Sequence, residues 1–258
     1  MPVDHRHSVV FIDLDHTLLD GPFDSLVFPQ VLGELSRKTG LDYDTLLALV
    51  RSENRARQTD PTCPAVLAMD WDDIFTRVAD RLGVTLETRA CDVLRAHPGP
   101  PYAVLLPGAV QALERLTAGR PRRAVVLATK GLGRYQLPVL RATGLLHYFD
   151  DVLTPEITQA LKYSPEFYGS WPARTRIQIM VGDTYEDDVL PAHRFGFKTV
   201  LKMDQPPGST ENGDPFIRAQ EIFSGAEQTV RPDAVIYALD ELPEVIEKME
   251  NEVQDEDL

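Results

Sequence analysis

Short apolar runs without alternation recur along the chain and predict buried parallel strands. They occupy residues 8–12, 123–128, 151–153, 177–181, 199–201 and 233–237. Strands covered on both faces show such continuous runs, whereas half-exposed strands alternate between apolar and polar residues. Helical patterns lie between the runs, at residues 108–117, 135–143 and 187–195. Strands that alternate with helices predict an α/β fold in which one sheet is covered on both faces.

One long segment departs from this alternation directly after the first strand. From about residue 23 to about residue 98, strand-like runs give way to apolar residues spaced three or four positions apart. The helices expected there cover residues 25–38, begin at the N-cap Asp42, and follow an apolar stripe from Trp71 to Leu82. Turn-forming residues at 20–22 and 97–101 mark the ends of the segment. We therefore predict a core domain of residues 1–21 and 99–249, a helical domain of residues 22–98, and an acidic tail of residues 250–258.

The charge balance of the chain argues against a nucleic-acid partner. The formal net charge is −14 and the isoelectric point lies near 4.8. No basic stripe is available to displace the counterions of a phosphate backbone. With 258 residues, of which 43% are hydrophobic, the chain can bury a sizeable core. The composition therefore predicts a globular protein that does not bind nucleic acid.

The cysteines and the N-terminal residues indicate the compartment. Cys63 and Cys91 form neither a metal motif nor a disulfide framework, which fits a reducing environment. The apolar run after His7 is only about five residues long, which is too short for a signal peptide or a membrane span. We expect a cytoplasmic protein that does not enter a membrane. No residue pattern indicates an oligomeric state.

Two carboxylates follow the first predicted strand at a spacing that suits a metal ion. Residues 13–17 read Asp-Leu-Asp-His-Thr, so Asp13 and Asp15 stand two positions apart where a buried strand ends. Like charges held that close need a counter-charge, and a hard divalent cation prefers oxygen ligands. Asp and Thr are also common in turns after strands. Partners elsewhere in the chain decide between the two interpretations.

Side chains of matching chemistry follow the other predicted strands. Thr129 ends the second strand, Lys162 follows the third, and the fourth is followed by Asp183, Asp187 and Asp188. Ligands of open parallel sheets bind at the carboxyl ends of the strands, so these groups converge if the strands are neighbours. They suit phosphoryl transfer, which needs a carboxylate nucleophile, a proton carrier, a cation site and groups that hold phosphoryl oxygens. Taken singly, Thr129 is a turn residue, Lys162 a surface lysine and Asp187 a helix cap.

Four motifs thus stand in order at predicted strand ends. They are residues 13–17, residues 127–129, Lys162, and residues 182–188, which read Gly-Asp-Thr-Tyr-Glu-Asp-Asp. Together they resemble the motifs of the haloacid dehalogenase superfamily of aspartate-nucleophile phosphohydrolases. The resemblance spans nearly the whole chain. It implies a Rossmann-like, doubly wound, mostly parallel sheet, with the helical segment inserted as a cap of the first type.

The resemblance implies a role for each motif residue. Asp13 would be the nucleophile that becomes an aspartyl phosphate. Asp15 would protonate the leaving oxygen and then take a proton from the water that hydrolyses the intermediate. Thr129 and Lys162 would bind phosphoryl oxygens, and Lys162 would also screen Asp13 from the charge of the incoming substrate.

The resemblance also implies a Mg²⁺ site. The ion would be bound by the carboxylates of Asp13 and Asp183 and by the backbone carbonyl of Asp15. An acid at the end of the fourth motif would orient the water shell of the metal, and both Asp187 and Asp188 have a suitable spacing. We favour Asp188, because the Glu-Asp-Asp ending resembles the commoner Glu-Asn-Asp version.

Asp15 narrows the expected reaction. Dehalogenases of the superfamily release a halide, which needs no proton, and lack an acid two residues after the nucleophile. We therefore predict a Mg²⁺-dependent phosphatase that hydrolyses a small soluble phosphate monoester through an aspartyl phosphate. A phosphotransferase or phosphomutase shares every motif, and a non-catalytic binding protein could keep the same fold. A phosphonatase would need a cap lysine, and the helical segment contains only Lys38.

The cap is expected to select the substrate. A lid of this size favours small esters over phosphoproteins, so sugar phosphates, nucleotides and phosphoglycolate-like acids are all candidates. Arg51, Arg55 and Arg57 could meet an anionic substrate group, although a solvated helix face is the simpler explanation. Trp71 could stack on a substrate, although the apolar stripe around it favours packing within the cap.

Two features depart from the family pattern. The lysine motif reads Lys162-Tyr163-Ser164-Pro165, so an aromatic ring replaces the usual proline beside the lysine. The segment of residues 204–232 is also longer than is usual between the last strands, and a short helix is expected around its apolar patch at residues 216–223.

Overall fold

A six-stranded parallel sheet forms the centre of the computed structural model, which describes residues 6–118, 122–204 and 230–255. The strands are β1 (Arg6–Ile12), β2 (Leu19–Asp20), β3 (Val104–Leu105), β4 (Arg123–Ala128), β5 (Asp151–Leu153), β6 (Thr175–Gly182), β7 (Lys198–Lys202) and β8 (Ala234–Ile236). The sheet order is β5-β4-β1-β6-β7-β8, and all neighbouring strands in it are parallel. Strands β2 and β3 form a separate antiparallel pair. The predicted α/β fold is confirmed.

Helices flank the sheet and form the insertion after its first strand. The insertion contains α1 (Phe28–Thr39), α2 (Tyr43–Thr59), α3 (Ala65–Ala68), α4 (Trp71–Arg81) and α5 (Ala90–Ala96). The remaining helices are α6 (Ala109–Ala118), α7 (Gly133–Ala142), α8 (Pro155–Thr158), α9 (Trp171–Arg174), α10 (Leu190–Arg194) and α11 (Leu242–Asp255). Single π-helical turns, Phe23–Val27 and Tyr185–Val189, precede α1 and α10. Across the described residues, every helix is too short or too polar to span a bilayer.

Strand β1 is apolar from Val9 to Ile12 because both of its faces are covered there. Val10 and Ile12 belong to the large cluster that includes the helical insertion, whereas Val9 and Phe11 belong to a second cluster on the other face. The Phe11 ring lies 4.9 Å from the ring centroid of Tyr168 in that second cluster. Successive side chains of a strand point to opposite faces, so a run without alternation marks a sheet that is buried on both sides.

The helical insertion packs around an aromatic cluster. The Trp71 ring lies 5.1 Å from Phe28 and 5.7 Å from Phe75, measured between ring centroids. Helix α2 begins as predicted, with the Asp42 carboxylate accepting a hydrogen bond from the Thr45 backbone N–H (2.8 Å). This bond satisfies one of the free donors at the start of the helix. The apolar side chains of the insertion thus pack against one another and belong to the same large cluster as one face of the sheet.

The first helix of the insertion begins three residues later than predicted. A π-helical turn occupies residues Phe23–Val27, and α1 starts at Phe28 with Pro29 in its first turn. Proline fits there because its fixed φ of about −65° matches the first turn of a helix. The helix ends as expected at Gly40, whose φ of 76° is left-handed and suits glycine.

The C-terminal residues differ from the expected acidic tail. Helix α11 continues through Glu250 as far as Asp255. The Glu250 carboxylate accepts a hydrogen bond from Arg123 Nε (2.7 Å) and another from the Ser8 hydroxyl. The acidic end of the chain is thus tied to strands β1 and β4 by a charge pair that local sequence does not reveal. The helix expected at residues 216–223 lies outside the described residues.

Candidate active site

A cavity of about 230 Å³ lies where the carboxyl ends of β1, β4 and β6 meet the helical insertion. It is lined by all seven side chains singled out in the sequence, namely Asp13, Asp15, Thr129, Lys162, Asp183, Asp187 and Asp188. The insertion contributes Phe23, Asp24, Phe28, Met69 and Trp71 to its wall. Because β1 lies between β4 and β6, the residues that follow these three strands share one sheet edge.

Asp13 and Lys162 form a buried ion pair at the centre of this cavity. The Asp13 backbone N–H donates to the Val181 carbonyl (2.9 Å), which continues the β1–β6 pairing up to the carboxylate. Lys162 Nζ contacts Asp13 Oδ1 and also donates to Asp188 Oδ1 (2.7 Å). Burial alone would lower the pKa of Lys162, but the charges of Asp13 and Asp188 outweigh it and raise that pKa. Lys162 therefore remains an ammonium that can bind anionic oxygens.

Three carboxylates form a group that could hold a divalent cation. Oxygen atoms of Asp13, Asp183 and Asp188 all lie within 4.8 Å of one another. Burial raises the pKa of both Asp183 and Asp188. The Thr17 hydroxyl lies 3.3 Å from Asp13 Oδ2 and 3.4 Å from Asp183 Oδ1. One ammonium cannot balance three carboxylates, two of them buried and one half-buried, and a hard cation with oxygen ligands would complete the charge balance.

Asp187 and Asp188 face different partners although they are neighbours in sequence. Asp188 contacts Lys162 and belongs to the three-carboxylate group. Asp187 instead forms an ion pair with Lys130 and lies outside that group. The Lys130 ammonium also donates to Gln58 Oε1 of the insertion (3.2 Å). Asp187 thus pairs with a lysine that also contacts the insertion, whereas Asp188 lies in the cluster around Asp13.

Asp15 lies beside Asp13 but has a separate partner. Its Oδ2 accepts a hydrogen bond from Gln136 Nε2 (2.7 Å). Burial, and then the charge of Asp13, raise the pKa of Asp15 to about 6. A carboxyl group in that range can give up a proton and take one back near neutral pH. Asp15 has the chemical character of a general acid and base.

Thr129 directly follows strand β4, where it is a turn residue and also a lining residue of the cavity. Its hydroxyl accepts a hydrogen bond from the Gly131 backbone N–H (3.0 Å), which stabilises the turn after the strand. The side chain also lines the cavity, although only 1% of the residue surface is exposed. A turn residue can therefore present a hydroxyl at the same edge as the carboxylates.

Three further residues of the cavity were not predicted as site residues. They are His16, Lys130 and Gln136. Lys130 follows the second motif and His16 lies within the first. This position, together with a side chain that can carry charge, could have identified both as site residues. The His16 ring lies 3.3 Å from Asp20 and 3.5 Å from Asp24, and chiefly the Asp24 contact raises the pKa of His16 to about 9. Gln136 carries no charge and stands seven positions after Thr129, so the sequence offered no signal for it.

The cap arginines considered as anion-binding groups do not line the cavity. Arg57 Nε pairs with Glu53 (2.8 Å), and its Nη1 pairs with Asp73 (2.7 Å). Arg51 and Arg55 are exposed. The structure thus favours the simpler explanation of these residues as a structural and solvated face.

Tyr163, the departure from the usual lysine motif, connects the core to the insertion. Its hydroxyl donates a hydrogen bond to Gln58 Oε1 (2.7 Å), the same oxygen that Lys130 contacts. Gln58 lies near the end of α2. Lys130 and Tyr163, which follow the second and third motifs, therefore both bind the Gln58 side chain of the insertion.

Comparison with solved structures identifies proteins of similar fold. Among solved structures, the chain is similar to a HAD phosphatase from Thermococcus onnurineus, at 25% identity over 93% of this chain and 97% of that chain, with a TM-score of 0.65. It is also similar to the HAD-hydrolase YfnB from Bacillus subtilis, at 18% identity over 94% of this chain and 99% of that chain, with a TM-score of 0.62. A third is the L-2-haloacid dehalogenase from Xanthobacter autotrophicus, at 18% identity over 95% and 99% of the two chains, with a TM-score of 0.58.

The last two likenesses concern the fold alone, because their sequence identity is low. Comparison with curated proteins gave no match. The family model for haloacid dehalogenase-like hydrolases matches residues 7–196, which is most of the chain and includes all four motifs. On this match, the chain belongs to the haloacid dehalogenase-like hydrolase family.

Proposed function

We propose that the protein is a Mg²⁺-dependent phosphatase that hydrolyses a small phosphate monoester through an aspartyl phosphate on Asp13. The observation that carries this proposal is that two carboxyl groups on one cavity have different partners. Asp13 contacts the buried Lys162, whereas Asp15 accepts a hydrogen bond from Gln136 (2.7 Å). One carboxylate is available to attack, and the other to carry a proton. A phosphate ester needs both, whereas a halide leaves without a proton.

The first half of the proposed reaction transfers the phosphoryl group to the protein. The Asp13 carboxylate attacks phosphorus, and the bond between phosphorus and the alcohol oxygen breaks. Asp15 gives its proton to that oxygen, so the product leaves as a neutral alcohol. The Lys162 ammonium and the Thr129 hydroxyl hold the phosphoryl oxygens as charge shifts onto them.

The second half releases phosphate. Asp15 is now a carboxylate and takes a proton from a water molecule. The oxygen of that water attacks phosphorus at the same time. The bond between phosphorus and the Asp13 oxygen breaks, which frees inorganic phosphate and restores both carboxyl groups. A single residue thus acts first as the acid and then as the base, which suits the raised pKa of Asp15.

The proposed Mg²⁺ ligands are Asp13 and Asp183, together with the backbone carbonyl of Asp15, and Asp188 orients the water shell. The donor set fits such an ion, because it is made of oxygen atoms and carries more negative charge than Lys162 can balance. When bound, the ion would stabilise negative charge on the phosphoryl group. Asp187 is the weaker candidate for this role because it pairs with Lys130.

The helical insertion is proposed to act as a cap domain of residues 22–98 on a core of residues 1–21 and 99–249. Its aromatic side chains cover the cavity and would exclude water from the reacting groups. The substrate would be a small soluble ester that fits beneath this cover. A cytoplasmic location, expected from the cysteine content, is part of the same proposal.

Release of inorganic phosphate from a panel of small phosphoesters, with and without Mg²⁺, tests the proposal. Asp13→Asn should lower kcat at least about a thousandfold, because the nucleophile is lost. Acid-quenched parent enzyme should carry phosphate on Asp13. Asp92→Asn is the matched control and should turn over like the parent, because Asp92 is an exposed aspartate paired with Arg95 (3.0 Å).

Three results would contradict the proposal, each in favour of a different function. A parent protein that releases no phosphate from any ester, and binds esters no differently from Asp13→Asn, would be a binding protein. Halide release from 2-haloacids without phosphate release would identify a dehalogenase. Transfer of phosphate between positions of a sugar, at a rate above that of phosphate release, would identify a phosphomutase.

A further inference from the structure

Gln136 is a buried neutral side chain that contacts Asp15. It lies in the first turns of helix α7, and 3% of its surface is exposed. Its Nε2 donates to Asp15 Oδ2 at 2.7 Å. Within the described residues, this is the one hydrogen bond that the Asp15 carboxylate accepts. The buried amide donates this hydrogen bond to a carboxyl group of the candidate active site. Packing alone does not explain such a bond.

The backbone around this pair leaves little room for it to rearrange. A Cβ at Gly131 would overlap the side-chain amide of Gln136, so the chain passes directly against it. A Cβ at Gly21 would overlap Asp15 Oδ1, the carboxyl oxygen that Gln136 does not contact. Gly21 and Asp15 both line the cavity. One Asp15 oxygen is thus held by the amide, while the other lies close against Gly21.

We propose that Gln136 is a positioning residue for Asp15 in the reaction described above, and this inference rests on that proposed function. An amide N–H can donate both to a carboxylate and to the unprotonated oxygen of a neutral carboxyl group. Gln136 therefore holds Asp15 in the same place before and after proton transfer. Because Oδ2 is occupied by the amide donor, the transferable proton resides on Oδ1 and passes from there to the leaving oxygen.

The choice of leaving group separates this role from a structural one. Benzyl phosphate releases a basic alkoxide that needs a proton from Asp15, whereas 2,4-dinitrophenyl phosphate releases a weakly basic phenolate that needs none. With enzyme in excess, the single-turnover rate of alcohol or phenol release reports only the first half of the reaction. Gln136→Met keeps the volume and removes the donor, so we expect about a 100-fold loss on benzyl phosphate and less than about threefold on the dinitrophenyl ester.

Gln178→Met is the matched control. Gln178 is also a partly buried glutamine of the core, but its Nε2 donates to backbone carbonyls of Pro172 and Thr175, away from the cavity. Its replacement should affect both esters equally. Gln136→Glu is the second variant, because it keeps the shape of the side chain but cannot donate when ionised, and it should show the same selective loss as Gln136→Met.

A double-mutant cycle with Asp15→Asn completes the test. If Gln136 acts through Asp15, adding Gln136→Met to Asp15→Asn should lower the benzyl phosphate rate no further. Equal losses on the two esters, or additive losses in the cycle, would overturn the positioning role and leave the phosphatase proposal intact. A parent enzyme that releases no phosphate from any small phosphoester with Mg²⁺ would overturn both.

Discussion

Gly182 stands where any larger residue would collide with a carboxylate of the proposed metal site. It ends strand β6, and a Cβ at this position would overlap the carboxylate of Asp188. Asp188 is buried and accepts a hydrogen bond from the Thr184 backbone N–H (3.1 Å), so few other conformations are open to its carboxylate. The missing side chain at position 182 therefore allows Asp188 to approach Asp13 and Asp183.

Gly182→Ala should weaken Mg²⁺ binding about tenfold or more, because it displaces Asp188 from the other carboxylates. Isothermal titration with Mg²⁺ measures the change. Gly33→Ala is the matched control, since a Cβ there meets nothing closer than Arg37 Nη1 at 3.7 Å, and alanine favours the helix. Equal Mg²⁺ affinity in Gly182→Ala and the parent would mean that Asp188 does not serve the metal.

At the scale of elements, Glu34 ties helix α1 to the segment that leads into α5. Its buried carboxylate accepts hydrogen bonds from the backbone N–H groups of Glu87 and Thr88, both at 2.8 Å. Lys38 Nζ donates to the same carboxylate at 2.7 Å. Burial raises the pKa of Glu34, but these hydrogen bonds outweigh it and lower the pKa to about 2. The connection between the two helices is therefore charge-dependent.

Replacing this carboxylate should make the stability of the insertion less sensitive to acid. Because the folded-state pKa is below the usual value of 4.5, the ionised group stabilises the fold above that pH and loses its effect between about pH 4.5 and pH 2. At neutral pH, Glu34→Gln should lower the free energy of unfolding by about 1–3 kcal/mol, and the difference from the parent should shrink across this acidic range.

Denaturant titrations at several pH values test this prediction, with Glu87→Gln as the matched control. The Glu87 side chain is 84% exposed and also pairs with Lys38 (3.3 Å), so its replacement should have little effect at any pH. A Glu34→Gln difference that stays constant from pH 7 to the acidic limit would show that the carboxylate charge is not what stabilises the connection.

Helix α7 links the insertion to the acid of the active site. The Tyr135 hydroxyl donates to Asp70 Oδ1 and accepts from the Asp72 backbone N–H, both at 3.0 Å, at the start of helix α4. The next residue is Gln136, which donates to Asp15. One turn of helix therefore contacts both the insertion and the Asp15 carboxyl group.

At the scale of the whole molecule, the insertion residues that line the cavity constrain the charge and polarity of the substrate. Phe23, Phe28, Met69 and Trp71 give the insertion side of the cavity an apolar, largely aromatic surface. Asp24 adds negative charge to it, and none of the described insertion residues that line the cavity is a lysine or arginine. Against the insertion side of the cavity, a second anionic group on a substrate would therefore lose its hydration without gaining a cationic partner.

We expect esters of uncharged alcohols that carry a ring to be better substrates than esters with a second anionic group. The kcat/KM for benzyl phosphate should exceed that for 2-phosphoglycolate at least about 100-fold, with ethyl phosphate between them. Asp24→Asn should narrow the gap, because it removes a negative charge from the cavity wall and one of the two acidic partners of His16. Asp20→Asn is the control, since Asp20 also contacts His16 (3.3 Å) but does not line the cavity. A preference for 2-phosphoglycolate in the parent would contradict this assignment.

The elements with strong local patterns were predictable, and one helix shows why others were not. Strands β4 and β5 have the bounds that their apolar runs predicted. Helix α5 was not predicted, because no side chain in its own sequence caps it. The Asp72 carboxylate of α4 accepts hydrogen bonds from the backbone N–H groups of Ala90 (2.6 Å) and Cys91 (3.4 Å) instead. A cap that comes from another helix leaves no signal in the local sequence.

For the active site, the sequence by itself determined which residue types stand at the strand ends, because strand pattern and parallel topology bring those ends together. Only the tertiary structure decided how neighbouring residues divide their contacts. Asp187 and Asp188 are adjacent on one π-helical turn, where successive side chains point in different directions, so one pairs with Lys130 and the other with Lys162. Gln136 reaches Asp15 from 121 positions away in the chain. Such partners depend on packing between distant elements, which no local pattern encodes.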